Sequence, residues 1–79
     1  MNMKDKIIDI IIRITGYEEL RDCPDADLID EGILDSLAFI NLIVSLEDEF
    51  GIEIQPTQIP GSTWRSVDLI TGLVERLLK

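Results

Sequence analysis

In Asp35-Ser36-Leu37-Ala38-Phe39-Ile40-Asn41-Leu42-Ile43-Val44-Ser45-Leu46-Glu47-Asp48-Glu49-Phe50-Gly51, no glycine or proline interrupts the run until Gly51. Phe39, Leu42, Ile43, Leu46 and Phe50 recur at the i, i+3, i+4, i+7 spacing of one helix face. Leu37, Ile40 and Val44 widen that face and are read with it as core, with part of the stripe free to line a groove. Asp35-Ser36 offers capping oxygens at the start, and Gly51 stops the helix. Glu47-Asp48-Glu49 place negative charge at the negative helix end, where it is unfavourable. Solvation explains such a run, and a basic partner is the sharper explanation. Leu46 and Phe50 are expected to pack against the first and last helices.

On the N-terminal side, Ile7, Ile8, Ile10, Ile11, Ile12 and Ile14 are β-branched and favour a strand by propensity. The charges decide otherwise. Asp5, Asp9 and Arg13 are spaced by four and form one stripe on a helix, with Asp9 correctly placed to pair with Arg13. A helix over roughly residues 3–14 follows, capped by Asn2 and ended at Thr15-Gly16. From Thr15 to Asp35 runs a long acidic connection broken by Pro24, of a length that is often functional. Leu20, Leu28, Ile29, Ile33 and Leu34 are expected to pin it to the core, with a helical turn at Asp25–Leu28.

On the C-terminal side, Ile52 and Ile54 alternate with polar residues as a short extended piece. Pro56 starts one helical turn, and Gly61-Ser62-Thr63 form a turn. Ser66 caps a last helix with an apolar face of Ile70, Leu73, Val74 and Leu77; Arg76 and Lys79 suit its end. Gly72 weakens it by about 1 kcal/mol relative to alanine, a cost that close packing would explain. The expected architecture is all-α: a small four-helix bundle of three longer helices plus one short helix. With 79 residues, against ~100–200 for a typical domain, residues 1–79 are read as a single domain.

Composition narrows the function. Seven basic against sixteen acidic residues give a net charge of −9. That argues against nucleic acid, which is held by neutralising phosphates, and against an anionic membrane surface. Without histidine there is no Ser-His-Asp or Cys-His catalysis and no His-based metal site. The lone Cys23 forms no internal disulfide and has no neighbour to activate it, so a reducing, cytoplasmic setting is expected. The apolar N-terminal run is broken by Asp9 and Arg13. It is too short to span a membrane and lacks the marks of a signal peptide. Neither a catalytic nor a metal site is expected. Asp35 and Glu31 have no converging partners, and the acidic loop lacks the D-x-[DN]-x-[DN]-G calcium pattern. Tyr17 and Trp64 are read as core or rim.

Ser36 is the position that chemistry favours. A turn glycine, Gly32, leads to a hydroxyl at the start of a long helix, where an anion is stabilised by free N–H groups and the helix dipole. No base in the chain activates it, so any modification comes from another enzyme. Two readings of Ser36 stay open on these residues: the helix N-cap, or an attachment point for a phosphoester.

The sequence Gly32-x-Leu34-Asp35-Ser36-Leu37, with Ser36 fourteen residues before Phe50-Gly51-Ile52, resembles the phosphopantetheine attachment region of acyl and peptidyl carrier proteins. The likeness extends over nearly the whole chain, including Asp27-Leu28 and Ser66-Val67. It implies that a phosphopantetheinyl transferase attaches 4′-phosphopantetheine to Ser36, making the chain a phosphoprotein, and that Asp35 helps orient the Mg²⁺-dependent transfer. The arm then carries an acyl or aminoacyl group as a thioester between partner enzymes: an activating ligase and a downstream transferase or synthase. Leu37, Phe39 and Ile40, with Asp35, are the expected partner-recognition residues of a monomer that is not itself an enzyme. Asn41–Val44, Phe50–Ile54 and Trp64 look similar to D-alanyl carrier proteins and related stand-alone aminoacyl carriers. Ala38 and Asn41 depart from fatty-acid carriers, where those positions are frequently acidic, and Pro56–Pro60 lacks their short-helix acids. The rival expectations are an unmodified helical adaptor binding a basic protein, and an acidic Ca²⁺-binding module.

Overall fold

The computed structural model describes residues 2–78. Three α-helices carry the fold: α1, Met3–Thr15; α2, Ser36–Phe50; and α3, Val67–Leu77. Short 3₁₀ turns at Glu18–Arg21, Pro56–Gln58 and Gly61–Arg65 fill the connections. Among the described residues there is no strand, and the short fourth element is 3₁₀ rather than α. Lys79, expected at the end of α3, lies outside the described residues.

α1 is helical despite its isoleucines because tertiary burial outweighs propensity. Ile7 and Ile11 are fully buried, and Ile8, Ile10 and Ile12 nearly so. Asn2 accepts from the Asp5 N–H at 2.9 Å and caps the start. The Gly16 N–H returns to the Ile12 carbonyl at 2.7 Å and closes the end. α1 is the central element, packing against both α2 and α3, and α3 in turn packs on the 61–65 turn. The Asp9–Arg13 pair does not form. Asp9 instead faces Arg21 at 2.6 Å, which ties the first 3₁₀ turn to α1.

α2 corrects the width assigned to its apolar stripe. Leu42 and Leu46 are fully buried, and Ala38 and Ile43 nearly so. Each buried leucine contributes about 1.5–3 kcal/mol. Leu37, Ile40 and Val44 are 69%, 58% and 58% exposed, so they form a separate apolar strip facing solvent. A cylinder packed on one side by α1 shields only part of its circumference. Phe39 and Phe50 are half-buried against the core. Gly51 ends α2 at φ 65°, a left-handed conformation that glycine adopts without steric cost. The acidic last turn has a local use: a Glu47 carboxylate oxygen accepts from the Ile54 N–H at 2.9 Å, holding the following segment to the helix.

The long connection is ordered by specific bonds. Leu20, Leu28, Ile33 and Leu34 are buried as expected, whereas Ile29 is 41% exposed. The helical turn expected at Asp25–Leu28 does not form, and the 3₁₀ turn of the connection is Glu18–Arg21. Asp27 explains why: its Oδ1 accepts from the N–H groups of Ile29 and Asp30, starting a turn after itself rather than joining a helix before it. The turn expected at Gly61-Ser62-Thr63 is part of a longer 3₁₀ segment, Gly61–Arg65, that buries Trp64. Ile54 is buried without strand pairing. The Ser66 Oγ caps α3 by accepting from the Leu69 N–H at 3.1 Å. Gly72 has open space where a side chain would stand, so close packing does not account for it. None of the described helices is long and apolar enough to cross a membrane.

Candidate functional site at the start of α2

Two neighbouring residues divide the start of α2. Asp35, in extended backbone, is the N-cap: its Oδ1 accepts from the Ala38 N–H at 2.8 Å, and its carbonyl accepts from the Phe39 N–H at 2.8 Å. Ser36 is therefore the first helical residue, not the cap. Ser36 is an exposed residue, and its side chain is spared from capping duty. The N–H groups of Ser36 and Leu37 have no intrahelical acceptor, as for any first turn. They add to the positive end of the α2 dipole. The loop leading in turns at Gly32, where φ is 68°, and then buries Ile33 and Leu34 as anchors.

A largely apolar cavity of about 290 Å³ opens beside Ser36. It is lined by Ile29, Leu34, Asp35, Ser36 and Phe39 together with Gly61 and Trp64. Phe39 meets the nearly buried Trp64 edge to face, with ring centroids 5.1 Å apart and planes at 82°. Of the four expected recognition residues, Asp35, Leu37 and Ile40 are exposed, and Phe39 is turned into the cavity wall. Val44 extends the exposed strip of Leu37 and Ile40; on sequence it was indistinguishable from core because all three continue the apolar stripe. Ala38 is buried at 8% exposure, whereas Asn41 is exposed.

Arg65 was not singled out by the sequence. Its Nε stands 3.1 Å from Asp27 Oδ2, and its Nη2 lies 2.8 Å from Asp30 Oδ1. The Asp30 and Ile29 N–H bonds, with the Arg65 charge, hold the Asp27 carboxyl below its ordinary range. Asp27, followed by Asp30, pushes the Arg65 guanidinium further up. The signal for this cluster, a lone arginine far downstream of two aspartates, has no sequence periodicity to reveal it. Among the described residues, no group of three or more acids or cysteines is arranged to hold a metal ion. Cys23 is exposed and unpaired.

The residues present fit a covalent phosphoester at Ser36. The residue is exposed, the first-turn N–H groups favour an anion, and the adjoining cavity accepts apolar matter. The family described as phosphopantetheine attachment site matches residues 5–76. The D-alanyl carrier protein of Lactococcus lactis subsp. cremoris (strain MG1363) is 42% identical over 73 residues, covering 92% of each chain. That of Lactococcus lactis subsp. lactis (strain IL1403) is 41% identical over the same span and coverage. The D-alanyl carrier protein of Enterococcus faecalis (strain ATCC 700802 / V583) is 34% identical over 77 residues, 98% of this chain and 99% of its own.

Proposed function

The chain belongs to the phosphopantetheine-attachment family, and from that premise we propose that Ser36 carries the 4′-phosphopantetheine arm and that the cargo is D-alanine. The chain is a carrier with a covalent 4′-phosphopantetheine, acted on by enzymes rather than being one. The family match decides for the carrier over the unmodified adaptor. The arm supplies a thiol, on which cargo is held as a thioester. The protein's own part is attachment, presentation and recognition. A flexible tether keeps the cargo at high effective concentration for successive partners.

One observation carries the choice of Ser36: Asp35 takes the capping role, leaving an exposed serine at the first position of α2. The chain holds no histidine to activate it, so the modifying enzyme must supply the base. Asp35, Leu37, Ile40 and Phe39 are the recognition residues in this reading, with Val44 added from the exposed strip. The D-alanyl carrier names of the relatives support an aminoacyl cargo, and a carrier of such cargo calls for an activating ligase to load it and a downstream transferase or synthase to receive it. We place the protein in the cytoplasm, as a single-domain monomer.

Intact mass after incubation with coenzyme A, Mg²⁺ and a broad-specificity transferase tests the site. One phosphopantetheine per chain is expected, and none for Ser36→Ala. Modified Ser36→Ala would sink the assignment. The cargo is tested by offering the holo-protein D-alanine, L-alanine and a long-chain fatty acid, each with a matching ligase. Preferred loading with the fatty acid would overturn the D-alanine reading.

A further inference from the structure

The cavity beside Ser36 is built from two segments distant in sequence. Ile29 and Leu34 belong to the loop that leads into α2, and Gly61 and Trp64 to the 61–65 turn. Arg65 joins them. Its carbonyl accepts from the Leu28 N–H at 2.7 Å, and its guanidinium reaches Asp27 at 3.1 Å and Asp30 at 2.8 Å. Leu28 is fully buried, and its carbonyl accepts from the Leu34 N–H at 2.9 Å. A shift at Leu28 is therefore passed to Leu34, the residue before the α2 cap.

We propose that Arg65 is a positioning residue for the modification of Ser36: its guanidinium clasps Asp27 and Asp30 and holds the loop before α2 in register with the 61–65 turn. The proposal rests on Ser36 being the attachment residue. The three charged groups are each 35% or more exposed, so their pairing contributes little to global stability. Its effect is local geometry, to which group transfer is sensitive. Substituting the side chain removes the clasp alone and leaves every other bonding group in place, because the Leu28 bond uses the Arg65 backbone and Asp27 Oδ1 serves the loop by itself; those bonds are then held less tightly in register.

The test compares the wild type with Arg65→Met, Arg65→Lys, the double variant Asp27→Asn/Asp30→Asn, and the triple variant joining that double to Arg65→Met. Asparagine keeps the oxygen that receives the Ile29 and Asp30 N–H bonds while removing the charge. Arg65→Met should lower kcat/KM for phosphopantetheine transfer by roughly three- to tenfold. Its thermal midpoint should stay near that of the wild type. Arg65→Lys should recover part of the rate, the double variant should match Arg65→Met, and the triple variant should lose nothing further. Hydrogen exchange at the Leu28 amide should quicken in Arg65→Met while the amides of Leu42 and Leu46 keep their protection. Direct transferase contact by the acids would make the losses add, and additive losses overturn the clasp. An Arg65→Met rate equal to that of the wild type overturns it as well. Modified Ser36→Ala, run alongside, would instead overturn the reading on which the clasp depends.

Discussion

Asp35 and Ser36 are adjacent polar residues with opposite duties, and their energetics should separate accordingly. Asp35 supplies the capping oxygen for Ala38, so Asp35→Ala should cost ~0.5–2 kcal/mol of stability. Ser36 accepts none of the helix N–H bonds that define the cap, so Ser36→Ala should stay within about 0.5 kcal/mol of the wild type. Urea denaturation of both variants checks this; equal losses would return the capping role to Ser36. Asp27 yields a pH prediction. Its folded carboxyl sits below the ordinary range, first because of the Asp30 N–H bond. A group depressed on folding stabilises the protein above its unfolded value, near 3.9, and loses that contribution as pH falls through the folded value. The contribution of Asp27 should therefore be constant at neutral pH and disappear only below about pH 4. A carboxyl titration followed by NMR should show Asp27 as a low outlier, and Arg65→Met should move it upward.

At the scale of the element, α2 carries two apolar surfaces with different purposes. Leu46 is fully buried, so Leu46→Ala should cost ~2–5 kcal/mol and lower the thermal midpoint sharply. Val44, two residues earlier, is 58% exposed, and Val44→Ala should change stability by less than about 0.5 kcal/mol. Thermal melts of the pair decide whether the strip of Leu37, Ile40 and Val44 is outside the core. A large loss for Val44→Ala would place it inside. Periodicity identified this helix and both of its ends, because a 3.6-residue repeat and a terminal glycine are local signals. The width of the buried face was not legible, because it depends on how many helices pack around it.

The whole molecule carries a net charge of −9, so its folded state is under self-repulsion. Raising ionic strength from about 0.01 M to 0.15 M shortens the screening length from about 30 Å to 8 Å. The thermal midpoint should rise with salt, because the pairs of Lys4 with Asp68 and of Arg65 with Asp27 and Asp30 are largely exposed and contribute little, leaving Asp9–Arg21 as the more sheltered pair to oppose the repulsion. A falling midpoint would show that those pairs outweigh the repulsion. The helix order, the glycine stops, the Asn2 and Ser66 caps and Ser36 as the position of interest all followed from the sequence. Each is expressed within a few residues of chain, as a repeat, a cap or a turn. The tertiary structure alone decided that Asp35 rather than Ser36 is the cap and that Asp9 turns to Arg21. It also buried Ala38 and brought Arg65 to Asp27 and Asp30. These outcomes depend on which segments meet in space, and side chains that could pair locally are drawn to distant partners once burial of the isoleucine and leucine core has set the packing.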